Sequence, residues 1–220
     1  MLSAYLLWRY LEWRPCRNYL EIGVDRGACT SIVLEQSDTP VWLVDPVPRF
    51  RDTLQDHETS RIHYQQTQSQ HMVLPAELTF DIVLIDGDHQ QPVPSEDVLR
   101  VLPHTHHHSV ILLDDYDHVR WPGMQHTRDL LNEKRWRPWF RDDQTEWWFP
   151  AHPPLPARPL DVEPFVRVIL ADPIMSFATL HRDQDQHRRG GHIHRFTQPA
   201  VFNHPGAQRW IDPLLRRHNI

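Results

Sequence analysis

The sequence predicts an α/β protein: a doubly wound, mostly parallel sheet with an antiparallel hairpin at one edge. Three observations carry this expectation. The runs Val41-Trp42-Leu43-Val44, Ile82-Val83-Leu84-Ile85 and Val110-Ile111-Leu112-Leu113 are apolar at every position, which fits strands covered on both faces as in a parallel sheet. Helix-length segments separate them, as βαβ crossovers require. Beyond residue 135 the pattern changes to two aromatic stretches, 136–141 and 145–149, joined by the polar turn Asp142-Asp143-Gln144, which reads as a hairpin.

The elements come in this order. Leu2, Leu6, Tyr10 and Trp13 recur at helical spacing and Pro15 closes that helix. Tyr19-Leu20-Glu21-Ile22 is a short strand running into Gly23, and Gly27 opens a second helix whose buried side carries Ile32 and Val33. Pro46 stops the strand that ends in Asp45, residues 61–66 form a weaker strand, and a helix over about 95–102 precedes the strand that starts at Val110. A further helix near 124–134 leads into the hairpin. We therefore expect one α/β domain over residues 1–150. Pro150, Pro153, Pro154, Pro156 and Pro159 then stiffen a linker over 151–160. Residues 161–220 form a C-terminal extension without nameable chemistry, a place for a lid or for homo-oligomer contacts.

Composition narrows the function. The chain has 220 residues with a net charge of −6, and Lys134 is its single lysine. No basic block stands out, so nucleic acid is not the expected partner. Two cysteines, Cys16 and Cys29, suggest no disulfide framework. The N-terminal apolar run is broken at Arg9 and Glu12 and reads as neither a signal peptide nor a membrane span. A cytoplasmic protein without membrane contact is expected.

The chemistry sits at strand ends. Glu21-Ile22-Gly23-Val24-Asp25-Arg26-Gly27 places two glycines in a strand-to-helix turn, where glycine tolerates positive φ and lets the backbone approach a ligand. Alone, such a turn suits a dinucleotide as well as other nucleosides, although the third glycine of the dinucleotide fingerprint is missing. Asp45 at the next strand end can accept ribose hydroxyls or merely cap the turn before Pro46. Asp86, Asp114 and Asp115 end neighbouring strands and should meet at one rim. Three carboxylates together repel and raise one another's pKa unless a cation neutralises them. Oxygen ligands of this kind suit a hard divalent ion, magnesium first, then Mn²⁺ or Ca²⁺. His89, three residues beyond Asp86, has a side chain suited to general-base work near neutral pH.

In order and spacing, the turn from Glu21 to Gly27, Asp45, Asp86-Gly87-Asp88-His89 and Asp114-Asp115-Tyr116 resemble class I S-adenosylmethionine-dependent methyltransferases. The match is to their metal-dependent catechol-type and macrolide-sugar O-methyltransferase branch. The resemblance implies the Rossmann-like fold of that class. It implies that Glu21 and Gly23 line the methionine end of the cofactor, that Gly27 lets helix and ligand approach, that Asp45 holds the ribose, and that Gln68 and Ser69 lie at the adenine. Gln68 stands where that family carries an acidic residue. It further implies metal ligands at Asp86, Asp114 and Asp115, with Asp86 beside the cofactor as well, and a catalytic pair of Asp86 and His89. The acceptor would be a small hydroxylated molecule, a sugar or natural-product intermediate. A metal-independent N- or O-methyltransferase and a non-catalytic cofactor-binding protein are the alternatives.

Three further features carry less weight. The run His104, His106, His107 and His108 is expected in a solvated loop at the opposite sheet edge rather than at a metal. Trp136, Trp139, Trp147 and Trp148 could stack on an acceptor, with core packing expected for at least half. His118, Arg120 and Trp121 come directly after the last metal-site strand and meet the acceptor by position alone.

Overall fold

The computed structural model describes residues 2–55, 57, 59–115, 121, 123–141 and 145–151. The hairpin turn, Tyr116, His118, Arg120, nearly all of the proline linker and the whole C-terminal extension lie outside the described residues, as does the side chain of Trp139.

Seven strands form one sheet in the order β3-β2-β1-β4-β5-β7-β6. They are β1 (Tyr19–Ile22), β2 (Val41–Val44), β3 (Ile62–Gln65), β4 (Phe80–Ile85), β5 (Thr105–Leu113), β6 (Trp136–Arg141) and β7 (Glu146–Pro150). The pairings among β1 to β5 are parallel, whereas β7 runs antiparallel to both β5 and β6. The doubly wound sheet and its edge hairpin are thus as expected. The helices are α1 (Leu2–Trp13), α2 (Ala28–Gln36), α3 (Arg51–Leu54), α4 (Val93–Val101) and α5 (Gly123–Glu133).

Alternation along each strand sends side chains to two separate cores. Tyr19, Leu43, Ile82, Leu84, Val110 and Leu112 pack with Leu7 and Tyr10 of α1, Val33 of α2 and Leu54 of α3. On the other face Leu20, Ile22, Val83, Ile85, Ile111 and Leu113 pack with Val98 and Val101 of α4 and Met124 and Leu131 of α5. Both faces are covered, which is why β1 and β4 are buried at every position. The tryptophans sort likewise: Trp147 enters the first core, Trp148 and Trp136 the second, each at most 5% exposed. These three serve packing rather than acceptor stacking.

Two expectations change. The β5 strand begins at Thr105, not Val110, so His106, His107 and His108 lie within it and His104 directly before it. Its register against β4 shifts between Phe80 and Ile82, and the four positions from Thr105 to His108 are half-buried. His106 Nε2 reaches Asp81 Oδ1 at 3.3 Å, while the other Asp81 oxygen accepts the backbone N–H of Arg17 at 2.7 Å. His106 therefore helps tie the amino-terminal edge of the sheet together, and His106, His107 and His108 belong to a strand rather than a solvated loop. The α3 helix is an addition to the expected elements, and its four residues are too few to show periodicity.

The strand order reverses between β1 and β4: from β1 the chain first winds to β2 and β3, then returns to β4 on β1's other side. In open α/β sheets the crevice outside the carboxyl ends at such a switch point is where ligands bind.

Candidate active site

A cleft of about 280 Å³ opens at that switch point, lined by Gly23, Asp25, Asp45, Pro46, Val47, Arg49, Asp86, Gly87 and Asp88. Its size approaches the lower end of ordinary small-molecule sites, roughly 300 Å³. Gly23 has φ +82°, and a Cβ there would lie 2.0 Å from the carbonyl oxygen of Asp86. The turn after β1 can thus press against the end of β4 only because residue 23 has no side chain. Gly27 also has positive φ, +75°, but its missing Cβ faces Phe50 and Leu54, letting α2 start close to α3.

Asp45 is 8% exposed and binds its own surroundings tightly. Its Oδ2 accepts the backbone N–H groups of Val24 at 2.8 Å and Asp25 at 3.0 Å, and its Oδ1 that of Val47 at 2.7 Å. A carboxylate offers about four acceptor positions, so one remains, on Oδ1, for a ligand hydroxyl. Asp45 is therefore both the clasp of the glycine turn and an acceptor at the cleft.

Glu21 stands behind the cleft wall. Its Oε2 accepts hydrogen bonds from the Tyr19 hydroxyl at 2.8 Å and the Thr30 hydroxyl at 2.5 Å. Burial pushes its carboxyl up to about 7, against the lowering effect of those two hydroxyls. Of the residues expected at the cofactor, Gly23, Asp45 and Asp86 line the cleft. Glu21 and Gly27 support it from behind. Gln68 is exposed at the start of a 3-10 turn spanning Ser69–His71, and Ser69, 8% exposed, lies against the Asp97 carboxyl of α4.

The acidic rim is assembled by β4 and β5. Asp86 comes directly after β4, its N–H donating to Ile22 O at 2.8 Å; Asp114 comes directly after β5, its N–H donating to Ile85 O at 3.0 Å. Burial and the adjoining Asp114 carboxylate hold the Asp86 carboxyl well above its ordinary pKa, with Glu21 and Asp115 adding to the effect. Asp114 Oδ1 accepts the hydroxyl hydrogen of Thr145 at the entrance to β7. Asp115 sits at φ +46°, and its Oδ2 is 3.7 Å from His89 Nε2, which is also 4.0 Å from Asp86 Oδ1. The four expected catalytic and rim residues, Asp86, His89, Asp114 and Asp115, thus share one place. Among the described residues no set of three or more His, Cys, Asp or Glu side chains converges as an ion-binding group.

Several contributors escape sequence reasoning. Asp25, Pro46, Val47, Arg49, Gly87 and Asp88 also line the cleft; Asp25, Gly87 and Asp88 lie inside the very segments that carry the family resemblance. Thr145 and the stacking of Trp121 on His89, at 5.1 Å between ring centroids and 25° between planes, give no local signal.

Strand order and a cleft between the ends of β1, β2 and β4 define the Rossmann-like fold of the class I methyltransferases. The same fold is found in the O-methyltransferase of Bacillus cereus in complex with S-adenosylhomocysteine, at 16% identity and a TM-score of 0.56, over 67% of this chain and 78% of that one. It recurs in the N-methyltransferase NodS of Bradyrhizobium japonicum, at 13% identity and a TM-score of 0.53, over 69% and 95% of the two chains. The 1,6-didemethyltoxoflavin-N1-methyltransferase of Burkholderia thailandensis matches at 18% identity and a TM-score of 0.53, over 69% and 77%. No curated relative matches the sequence. Residues 20–116, the span from β1 to the end of the acidic rim, match the family described as a methyltransferase domain. The chain therefore carries a methyltransferase domain over residues 20–116.

Proposed function

We propose that this methyltransferase acts on oxygen, methylating a small hydroxylated acceptor such as a sugar or a natural-product intermediate. The observation that carries this reading is the placement of His89 Nε2, buried and 3.7 Å and 4.0 Å from two acidic side chains beside the cofactor cleft. A sulfonium methyl is already electrophilic, so the protein's task is to align an acceptor oxygen and remove its proton. The turn at Gly23 and the free acceptor position on Asp45 hold the nucleoside of the cofactor, with Glu21 behind its methionine end and Ser69 and Gln68 toward adenine. The hydroxyl proton passes to His89 Nε2 as the oxygen takes the methyl group, and the sulfonium keeps the bonding pair as a neutral thioether.

A divalent cation, Mg²⁺ foremost, is part of this proposal, with Asp86, Asp114 and Asp115 as the residues that would hold it. The support is electrostatic: three carboxyl groups share a rim, and burial first, with the neighbouring Asp114 and Asp115 carboxylates adding to it, raises Asp86. Their hard oxygen donors fit such an ion in kind. When bound, it supplies positive charge that makes a neighbouring hydroxyl more acidic.

One observation favours a metal-independent second reading. Asp86 and Asp114 lie close enough to share a proton, and Thr145 occupies one Asp114 oxygen, so the rim is electrostatically tolerable without an ion. Methyl uptake from labelled S-adenosylmethionine across a panel of hydroxylated and amine acceptors, with Mg²⁺ and with excess chelator, decides among these. Transfer to hydroxyls that chelator abolishes supports the proposal. Undiminished turnover in chelator removes the cation, and transfer to amines alone overturns the oxygen assignment.

For the whole chain we propose a domain ending near residue 150 followed by a linker and an extension at 161–220. The extension would cover the site or join two copies. No helix among the described residues is long and apolar enough to cross a membrane. The two free thiols, Cys16 and Cys29, and the nucleoside co-substrate support a cytoplasmic setting.

A further inference from the structure

His89, as the proposed proton acceptor, needs an imidazole held in place, and hydrogen bonding at Nε2 does not hold it. Among the described residues this nitrogen is buried without a hydrogen-bond partner. The carboxylates it faces, Asp115 at 3.7 Å and Asp86 at 4.0 Å, stand beyond hydrogen-bond range. An imidazole on a loop between β4 and α4 would ordinarily sample several rotamers, and most would carry Nε2 away from the rim. A general base needs its nitrogen held within reach of the proton it takes.

Trp121 supplies the missing constraint. Its indole lies across the imidazole with ring centroids 5.1 Å apart and planes within 25°. The first turn of α5 is fastened to the His89 loop from the same side. Gln91 Nε2 donates to the carbonyl oxygen of Gly123 at 2.6 Å and to the Thr127 hydroxyl at 3.1 Å. A Cβ on Gly123 would come within 2.9 Å of Gln91 Cγ and 3.1 Å of the His89 carbonyl oxygen, so glycine permits this docking. The stack is therefore held at both ends, by the ring faces and by the backbone beneath them.

Given that proton-accepting role of His89, we infer that Trp121 is its positioning residue, the indole face fixing the imidazole plane so that Nε2 stays aimed at the rim between Asp86 and Asp115. Gln91 and Gly123 keep the indole at that distance.

The test reads geometry first and needs no acceptor. In proton NMR of the full chain, the His89 Cε1–H signal, assigned by its loss in His89→Gln, is shielded by the indole face. In Trp121→Leu, which keeps apolar bulk but removes the face, that signal moves downfield. Trp121→Phe retains part of the shielding, and Gln91→Ala, which only loosens the docking, gives an intermediate change. An unmoved His89 signal in Trp121→Leu overturns the inference, and thermal melts establish that each variant is folded. The second arm measures methyl transfer from S-adenosylmethionine to catechol, a vicinal diol, with Mg²⁺ present. Trp121→Leu should lower kcat about 10- to 100-fold and leave KM for S-adenosylmethionine unchanged, with Trp121→Phe recovering most of the loss. A raised KM for catechol at unchanged kcat would make Trp121 a wall of the acceptor site and overturn the positioning role. If the wild type methylates neither catechol nor any other hydroxyl of the acceptor panel, or His89→Gln keeps full activity, the proposed function fails, while the NMR arm still decides the placement of the ring.

Discussion

Arg128 of α5 grips Glu146 of β7 through two parallel hydrogen bonds, Nε to Oε2 at 2.8 Å and Nη2 to Oε1 at 3.1 Å. Glu146 is 2% exposed and pairs across the sheet with Leu113, the last residue before the acidic rim. The ion pair thus fastens the hairpin edge and α5 to the strand that delivers Asp114. Removing one member leaves a buried charge without its partner, which costs about 3–5 kcal/mol. Arg128→Ala should therefore lower unfolding free energy in urea by roughly that amount, and Arg128→Met with Glu146→Leu should recover most of it.

Thr145, the neighbour of Glu146, is fully buried and donates its hydroxyl hydrogen to Asp114 Oδ1. Thr145→Val keeps the shape and deletes the donor. A hydrogen bond to a charged group contributes about 1.5–3 kcal/mol, so methyl transfer should fall roughly 10- to 100-fold if the geometry of Asp114 governs turnover. Calorimetric affinity for S-adenosylmethionine should stay near the wild-type value. A loss of cofactor affinity instead would assign Thr145 to the nucleoside cleft.

The two glycines of the first turn should respond unequally. At Gly23 an added Cβ meets the backbone carbonyl of Asp86 at 2.0 Å with φ at +82°. Neither the β1 turn nor the end of β4 can yield without breaking the hydrogen bond from Asp86 N–H to Ile22 O. At Gly27 the nearest neighbour is a side-chain carbon, Phe50 Cβ, at 3.0 Å. Gly27→Ala should cost about 1–3 kcal/mol from its left-handed backbone. Gly23→Ala should cost substantially more and lower Tm further in a thermal melt.

Asp97 of α4 predicts a pH dependence. It is fully buried, neither carboxyl oxygen closes a full hydrogen bond, and burial lifts its pKa from 3.8 to about 6 despite the nearby Ser69 hydroxyl and Arg100. Below pH 3.8 the group is protonated in both folded and unfolded chains, and its contribution to stability is greatest. Between pH 3.8 and about 6 the unfolded chain releases the proton first, so stability declines as pH rises and levels off above that window. The decline attributable to Asp97 is on the order of 3 kcal/mol. Urea unfolding across this range should show a shallower fall in Asp97→Asn than in the wild type; parallel curves would mean that Asp97 does not carry it.

How much of this is legible in the sequence depends on where each signal is written. β2, β4 and the end of β5 announce themselves because burial on both faces leaves uninterrupted apolar runs. The acids Asp45, Asp86 and Asp114 can be placed because a strand end is readable as the point where such a run stops. Glu21 and Gly27 belong to the same motif, yet they stand behind the cleft, against Thr30 and Phe50, a distinction that spacing does not encode. The start of β5 is hidden because its first residues are polar, mostly histidines, in a shifted register. The Trp121 stack and the Thr145 hydrogen bond join segments about thirty residues apart. Only the packing of α5 and β7 against the sheet brings them to the rim.

The cleft between Gly23, Asp45 and Asp86 is the proposed place of the methyl donor. Val47 lines it and is 46% exposed, so a larger side chain there fills the cleft without disturbing the core. Isothermal titration with S-adenosylmethionine should give one saturable site per wild-type chain and at least a roughly tenfold weaker one in Val47→Trp, with the two proteins melting alike. A folded wild type that takes up no S-adenosylmethionine, or a Val47→Trp variant that binds it as tightly as wild type, would refute that placement.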